Sequence, residues 1–390
     1  MIMFNLYDAV MDELNSRDVY KHEVYAPYYI CSYATHAFNL MNQKKKIYWE
    51  SKQLPNMRAH LLFVAPPGWM KSFYLNTMGA DDHAIFKHAG IDMGSESYMT
   101  EAGFVGTFNS MDGVNLPVEG AAKTYKNGIL MIDEFSAITK ALQTQHSNQL
   151  DNQLLSALDH GNVQKRLGAG KIEYKTKLTL WAGVQPARFD LTSGLGRRLL
   201  YMVFIPSKYD NQMLMEARHN SRNMRPNDRE MKSLWGSIKS FNKSMGKIEK
   251  VVFDDSVMKL YEELGLFSFE GSYFDRLLLG HELATRGPDK VMTISADDSG
   301  LRKLIARQKK WRGEISMGIE YVQLKRIIEL NGNTITKVKL IEESAMYGWN
   351  TMQVLGLLED MKRYRIVKIS RGLIELEDEG KSTNVVPGMM

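Results

Sequence analysis

The run Leu61-Leu-Phe-Val-Ala-Pro-Pro-Gly-Trp-Met-Lys-Ser-Phe-Tyr-Leu75 constrains this chain more than any other stretch. A short apolar segment ends in a Pro/Gly turn, and a Lys-Ser pair then opens a segment readable as a helix. That layout is a phosphate-binding loop, where backbone N–H groups and a helix start surround phosphate oxygens. The pattern asks for glycine where Ala65 and Met70 stand, whereas Gly68, Lys71 and Ser72 match it. Taken alone, the stretch is equally readable as an ordinary strand–turn–helix connection.

A second stretch, Gly128-Ile-Leu-Met-Ile-Asp-Glu-Phe135, changes that balance. An apolar strand that delivers two adjacent carboxylates at its carboxyl end suits a Mg²⁺-holding Asp133 and a water-polarising Glu134. For either carboxylate alone, a strand followed by an acidic helix cap is the plain alternative. The two stretches, in this order and about 60 residues apart, read together as an ATPase site. Lys71 would reach the β/γ-phosphates, and Ser72 would share the metal with Asp133. Pro66, Pro67, Gly68, Trp69, Met70 and Phe73 complete the expected nucleotide-binding loop.

Composition sets the outer bounds. A chain of 390 residues, 44% hydrophobic and 24% charged, has room for two or three globular domains. Its net charge of +5 is compatible with nucleic acid without pointing to it. Cys31 is the single cysteine, which excludes an intrachain disulfide and a cysteine-based zinc site. Asp8, Asp12 and Glu13 argue against a signal or transit peptide, and no apolar run reaches membrane-span length. The expectation is a soluble, cytoplasmic protein with no membrane partner.

Periodicity divides the chain further. Residues 1–56 read as helical, with a second helix over 28–42. Residues 57–207 alternate apolar strands (59–64, 129–132, 178–183, 199–205) with helical patterns, as in an α/β fold with a parallel sheet. Residues 208–317 read as helices at 213–217, 231–241, 256–264 and 273–284, followed by a basic helix over 293–312. Residues 318–378 read as a winged helix, with helices at 319–330, 337–346 and 351–364 and strands at 366–370 and 373–377 around an Arg371-Gly372 turn. Residues 379–390 read as a flexible tail.

Four blocks carry a resemblance. Gly94-Ser95-Glu96-Ser97 with Tyr98-Met99-Thr100 is the first, and Val118-Glu119-Gly120-Ala121-Ala122 is the second. The third is Gly128 through Phe135 with Ser136-Ala137-Ile138. The fourth joins Leu155-Ser-Ala-Leu-Asp159, Val163-Gln-Lys-Arg-Leu-Gly-Ala-Gly170 and a strand ending Ala182-Gly-Val-Gln185-Pro186. In this order, over about 150 residues, they resemble an AAA+ ATPase, most closely the minichromosome maintenance (MCM) helicase group. The blocks correspond to the stretch before its helix-2 insert, its Glu-Gly-Gly-Ala run, its Asp-Glu-Phe block, and its pre-sensor-1 hairpin with sensor 1. Gln185-Pro186 and the following Gly-Leu-Gly-Arg-Arg also resemble helicase-like ATPases of mobile elements.

The resemblance implies an AAA+ P-loop core, an α-helical lid and a hexameric ring that hydrolyses ATP between subunits, helicase or translocase in activity and acting in DNA replication. It assigns sensor 1 to Gln185, in place of the family's Asn, and the arginine finger to Arg197 or Arg198. It assigns the lid arginine on the γ-phosphate to Arg276, for which a salt-bridged helix arginine is the plain alternative. It assigns DNA contact in the central channel to the hairpin carrying Lys165, Arg166 and Lys171, which is otherwise a solvated hairpin with edge lysines. Where the family carries an N-terminal DNA collar, the expectation here is a helical segment over residues 1–56. Two rivals stand beside the motor: an ATP-switched initiator that reads duplex origin DNA through the winged helix, and a non-hydrolysing structural ATPase.

Overall fold

Two helices lead the chain into its core in the computed structural model, which describes residues 4–377 except 46, 50–51, 54–55, 98, 112–113, 136–147, 160, 169, 186–197, 207, 224–226, 267 and 364–365. Asn5 caps α1 (Leu6–Ser16) by accepting the Asp8 N–H at 3.0 Å, and Leu6, Val10 and Leu14 form its buried stripe. Helix α2 (His22–Met41) is buried all round over residues 25–38. A helix with no polar face belongs inside. Its Ser32 hydroxyl accepts the Trp181 indole N–H at 2.7 Å, which fastens it to the central sheet.

That sheet is parallel and α/β in character. The chain runs through β1 (His60–Val64), α3 (Lys71–Leu75), β2 (Met93–Glu96), a hairpin of β3 (Gly106–Met111) and β4 (Val114–Glu119), and β5 (Ile129–Ile132). It continues through α4 (Asn148–Asp159), a second hairpin of β6 (Asn162–Leu167) and β7 (Gly170–Lys175), β8 (Thr179–Val184) and β9 (Leu199–Val203). The strand order is β9-β1-β8-β5-β2, every neighbour parallel. Leu199 pairs with His60 and Thr179 with Ile129, so the strands share one carboxyl edge and one amino edge. All residues of β1, β5, β8 and β9 are buried, as expected of parallel strands covered on both faces.

Helices cover the sheet. Next come α5 (Lys208–Asn223), α6 (Asp228–Ser244), β10 (Lys250–Phe253), α7 (Asp255–Glu263), α8 (Ser268–Arg286), β11 (Val291–Ile294) and α9 (Ser299–Met317). Helix α8 packs on α2 so closely that a Cβ at Gly280 would lie 2.5 Å from the Cys31 carbonyl oxygen. One apolar cluster extends over residues 6–319, joining the N-terminal helices, the sheet and the helices after it. The basic helix expected from Thr293 begins later. Thr293 pairs in parallel with Val252 in a small mixed sheet, and Asp298 starts α9 by accepting the Leu301 N–H at 2.7 Å.

A second core closes the chain. It is built by α10 (Ile319–Leu330), β12 (Thr334–Thr336), α11 (Lys337–Ala345), α12 (Thr351–Arg363), β13 (Val367–Ser370) and β14 (Leu373–Leu376). The three strands pair antiparallel in the order β12-β14-β13, and Arg371 (φ 49°) with Gly372 (φ 78°) makes their tight turn. No described helix is long and apolar enough to cross a membrane.

Several elements differ from the sequence reading. The segments expected to be helical contain the short strands Tyr48–Trp49 and Lys52–Gln53 as well as β10 and β11, and β12 was not expected. Two more differences lie in the 57–207 region. Strand β2 carries Gly94 and Ser95 at the sheet edge, so no apolar period marks it. The β3–β4 hairpin contains Pro117 opposite Phe108, a residue that ordinarily argues against a strand but is tolerated in an exposed two-stranded ribbon.

Candidate functional site

Strand β8 lies between β1 and β5, so the loops that follow β1 and β5 meet over its carboxyl end. The first loop leaves Val64 through Pro66 and Pro67 and reaches α3 with two residues in the left-handed region, Gly68 (φ 78°) and Met70 (φ 52°). Met70 thus holds the conformation that glycine adopts freely, at a cost of about 1 kcal/mol. Its side chain is buried, which offsets that cost.

Lys71 opens α3 and is 6% exposed. Its Nζ donates to the Ala65 and Pro66 carbonyl oxygens, each at 2.8 Å, so the ammonium lies curled inside the loop. Burial lowers its pKa, and the facing carboxylates of Glu134 and Asp133 counter that shift. The Ser72 hydroxyl sits 2.8 Å from Oδ1 and 2.7 Å from Oδ2 of Asp133. Gln185, just beyond β8, donates its amide to Glu134 Oε2 at 2.9 Å. Beside the loop is a cleft of about 320 Å³, lined by residues 68–73 and by Leu214 of α5.

Lys71, Ser72, Asp133, Glu134 and Gln185, chosen from the sequence, are therefore brought together. Two contributors were not chosen. Leu214 comes from a helix whose sequence gives no sign of facing the loop. Gly183 lies inside the quoted β8 run, but its role is spatial: a Cβ there would stand 2.6 Å from the Asp133 carbonyl oxygen and 3.3 Å from Lys71 Cβ. The close approach of β5, β8 and α3 needs glycine at that point.

The donor set suits a small hard cation. The Ser72 hydroxyl and the Asp133 carboxylate are adjacent oxygen ligands of the kind such a cation would take. Among the described residues no group of three or more His, Cys, Asp or Glu offers an all-protein cage.

The remaining nominated residues lie elsewhere. Arg197 and Pro186 fall outside the described residues. Arg198 immediately precedes β9, at the amino edge of the sheet, and pairs with Asp159. Arg276 of α8 is set beside Asp159 and Arg198, and burial lowers its pKa. The structure does not bring either arginine to the Lys71 loop of its own chain. Each is a full strand length away.

The basic hairpin also leaves the sheet at the amino edge, between α4 and β8. Arg166 pairs directly with Lys171, and Lys165 with Ile172. Successive strand residues point to opposite faces. Arg166 and Lys171 therefore share the exposed face, while Lys165 lies with Val163, Leu167 and Ile172 on the half-buried one. Lys171 is paired with Glu173, whose carboxyl pKa that contact lowers. The β3–β4 hairpin packs alongside: a Cβ at Gly170 would lie 2.8 Å from the Phe108 ring, and Tyr174 donates to the Val105 carbonyl at 2.9 Å. Compared with protein-family models and with curated proteins, the chain matches none.

Proposed function

We propose that the chain is an AAA+ ATPase of the helicase type that hydrolyses ATP with Mg²⁺ between subunits of a ring, a hexamer on the family pattern, and uses the cycle to move along DNA. The observation that carries this reading is the contact of Ser72 with both oxygens of Asp133, beside an enclosed Lys71 and a Glu134 held by Gln185.

Each side chain then has a task. Lys71 neutralises the β/γ-phosphates, and Ser72 and Asp133 hold the cation, which would draw charge from the phosphate oxygens. Glu134 accepts the proton of the attacking water, and the Gln185 amide keeps that carboxylate turned toward it. Neither Arg198 nor Arg276 serves the loop of its own chain. Arg198 and Arg276 lie at the opposite edge, where they would face the phosphates of a neighbouring copy, and this favours a ring over a monomer. Arg166 and Lys171, on the same edge, supply the cations for a DNA backbone.

The initiator reading, in which residues 318–378 act as a winged helix on duplex DNA, has less support. The exposed side of α12 presents Met352, Gln353, Gly356 and Glu359, with Lys362 and Arg363 only in its last turn. A helix docked on phosphates needs cations along its length or at its start.

Steady-state ATP hydrolysis by wild type and Glu134→Gln, with and without single-stranded DNA, tests the proposal. DNA-stimulated hydrolysis that Glu134→Gln abolishes is expected. Tight ATP binding with no turnover would replace the motor by a switch.

A further inference from the structure

Asp159 ends α4 at the amino edge of the sheet, and its carboxylate pairs with the Arg198 guanidinium. The two residues serve different parts of the molecule. Arg198 leads straight into β9, whereas Asp159 stands at the foot of the β6–β7 hairpin, joined to it through Gly161. Gly161 (φ 71°) is held tightly there, since a Cβ would lie 2.2 Å from the Thr176 carbonyl oxygen.

Helix and hairpin form one mechanical piece. Gln153 of α4 binds both backbone groups of Gln164, donating to its carbonyl and accepting its N–H at 3.4 Å. Ser156 donates to the Asn162 carbonyl at 2.6 Å, and Gly161 N–H donates to the Ser156 carbonyl at 2.9 Å. A displacement at the end of α4 therefore moves β6 with it.

The end of α4 is in turn gripped from below. Arg58, fully buried, donates to the Ala157 and Leu158 carbonyl oxygens at 3.1 and 3.0 Å. Asn56 donates to the Asp159 carbonyl at 2.8 Å. His60 accepts the Leu180 N–H at Nδ1, so its Nε2–H donates to the Leu158 carbonyl at 3.1 Å. These contacts cap the last carbonyls of the helix and fix where the Asp159 side chain begins. Its carboxylate faces Arg198 with Arg276 close by, so it keeps a cationic neighbour if Arg198 departs. Both partners are partly open to solvent, Arg198 at 26% and Asp159 at 21%. The pair can exchange, unlike one sealed in the core.

We propose that Asp159 is the positioning residue for Arg198. It holds the guanidinium ready for the terminal phosphate bound by a neighbouring copy. When Arg198 moves from Asp159 to that phosphate, the change of partner is transmitted through α4 to the β6–β7 hairpin. The inference rests on the hydrolytic reading above and adds the element that ties nucleotide state to the DNA-facing face of Arg166 and Lys171.

The test compares full-length wild type, Asp159→Asn, Asp159→Glu, Arg198→Ala and the Asp159→Asn/Arg198→Ala pair. The readouts are kcat, the KM for ATP and the stimulation of hydrolysis by single-stranded DNA, with Glu134→Gln as the control for the site itself. Asp159→Asn is expected to lower kcat roughly 100-fold, leave KM within about twofold, and remove DNA stimulation. Combined with Arg198→Ala it adds nothing further, because the two act as one unit. Asp159→Glu keeps the charge but moves it outward, and should lose about tenfold in kcat, so it decides the matter if Asp159→Asn does not fold. Wild-type kcat and DNA stimulation in the Asp159 variants, or losses that multiply with Arg198→Ala, overturn the proposal while Glu134→Gln still abolishes turnover. A wild type that does not hydrolyse ATP, or a Glu134→Gln variant as active as wild type, removes the hydrolytic reading and this inference with it.

Discussion

The Ser72 hydroxyl reaches both carboxylate oxygens of Asp133, at 2.8 and 2.7 Å, across 61 residues of sequence. The contact forms because β8 separates the two strands whose loops carry these residues, so both loops lean over the same strand end. In the proposed function this hydroxyl and carboxylate would hold a divalent cation, and the pair is expected to matter more to turnover than to stability. Ser72→Ala and Asp133→Asn should each lower Mg²⁺-dependent ATP hydrolysis by about 10²–10³-fold. The same variants should change unfolding free energy by less than about 1 kcal/mol, because the hydrogen bond is exposed. A Mg²⁺ titration of the ATPase rate and urea unfolding of the same preparations provide the check.

Gly183 carries a sharper expectation. Its missing Cβ is what lets Asp133 and Lys71 approach β8, with 2.6 Å to the Asp133 carbonyl oxygen. Gly183→Ala should cost about 1–3 kcal/mol through overpacking and reduce hydrolysis about 100-fold as the carboxylate shifts. Gly236→Ala is the control. That glycine is exposed on α6 with nothing within 4 Å of a new Cβ, and alanine there should stabilise by up to about 1 kcal/mol.

The buried imidazoles predict acid sensitivity. His36 accepts from Thr179 at 2.8 Å and donates to the Asn127 carbonyl at 3.1 Å, and burial lowers its pKa to about 4. Between that value and the ordinary 6.5 the unfolded chain binds the extra proton and the native one does not, so stability falls as pH drops. The contribution is complete above pH 6.5 and is lost toward pH 4, on the order of 3 kcal/mol. His60 is shifted the same way by burial and by Arg58. Urea unfolding from pH 7 to 4 should show this slope, and His36→Asn should flatten it.

Strand alternation separates the hairpin cations. Arg166 and Lys171 stand opposite each other on the exposed face, so Arg166→Ala and Lys171→Ala should each weaken single-stranded DNA binding and reduce the salt slope by about 0.7. Lys165→Ala, on the half-buried face, should leave that slope nearly unchanged. Fluorescence anisotropy across a salt series distinguishes the three.

Much of the site was legible in the sequence because its parts are local patterns. An apolar run broken by Pro66-Pro67-Gly68 reads as strand and turn, and Asp133-Glu134 after four apolar residues reads as a strand end. Strand β2 was not legible, because an edge strand built on Gly94 and Ser95 buries too little to impose a period. The β3–β4 hairpin was hidden by Pro117. Arg166 and Lys165 are neighbours in the chain, and which of them faces solvent depends on what packs beneath the hairpin.

The sequence by itself determined the parallel α/β core, the loop at Lys71 and the carboxylates that answer it, since hydrophobic period and turn chemistry are properties of short segments. Only the tertiary structure decided that Gly183 must lack a side chain, that Leu214 borders the cleft, and that Arg198 pairs with Asp159 within electrostatic reach of Arg276 on the far edge of the sheet. Those relationships join segments distant along the chain. Strand order sets them, and no local periodicity encodes it.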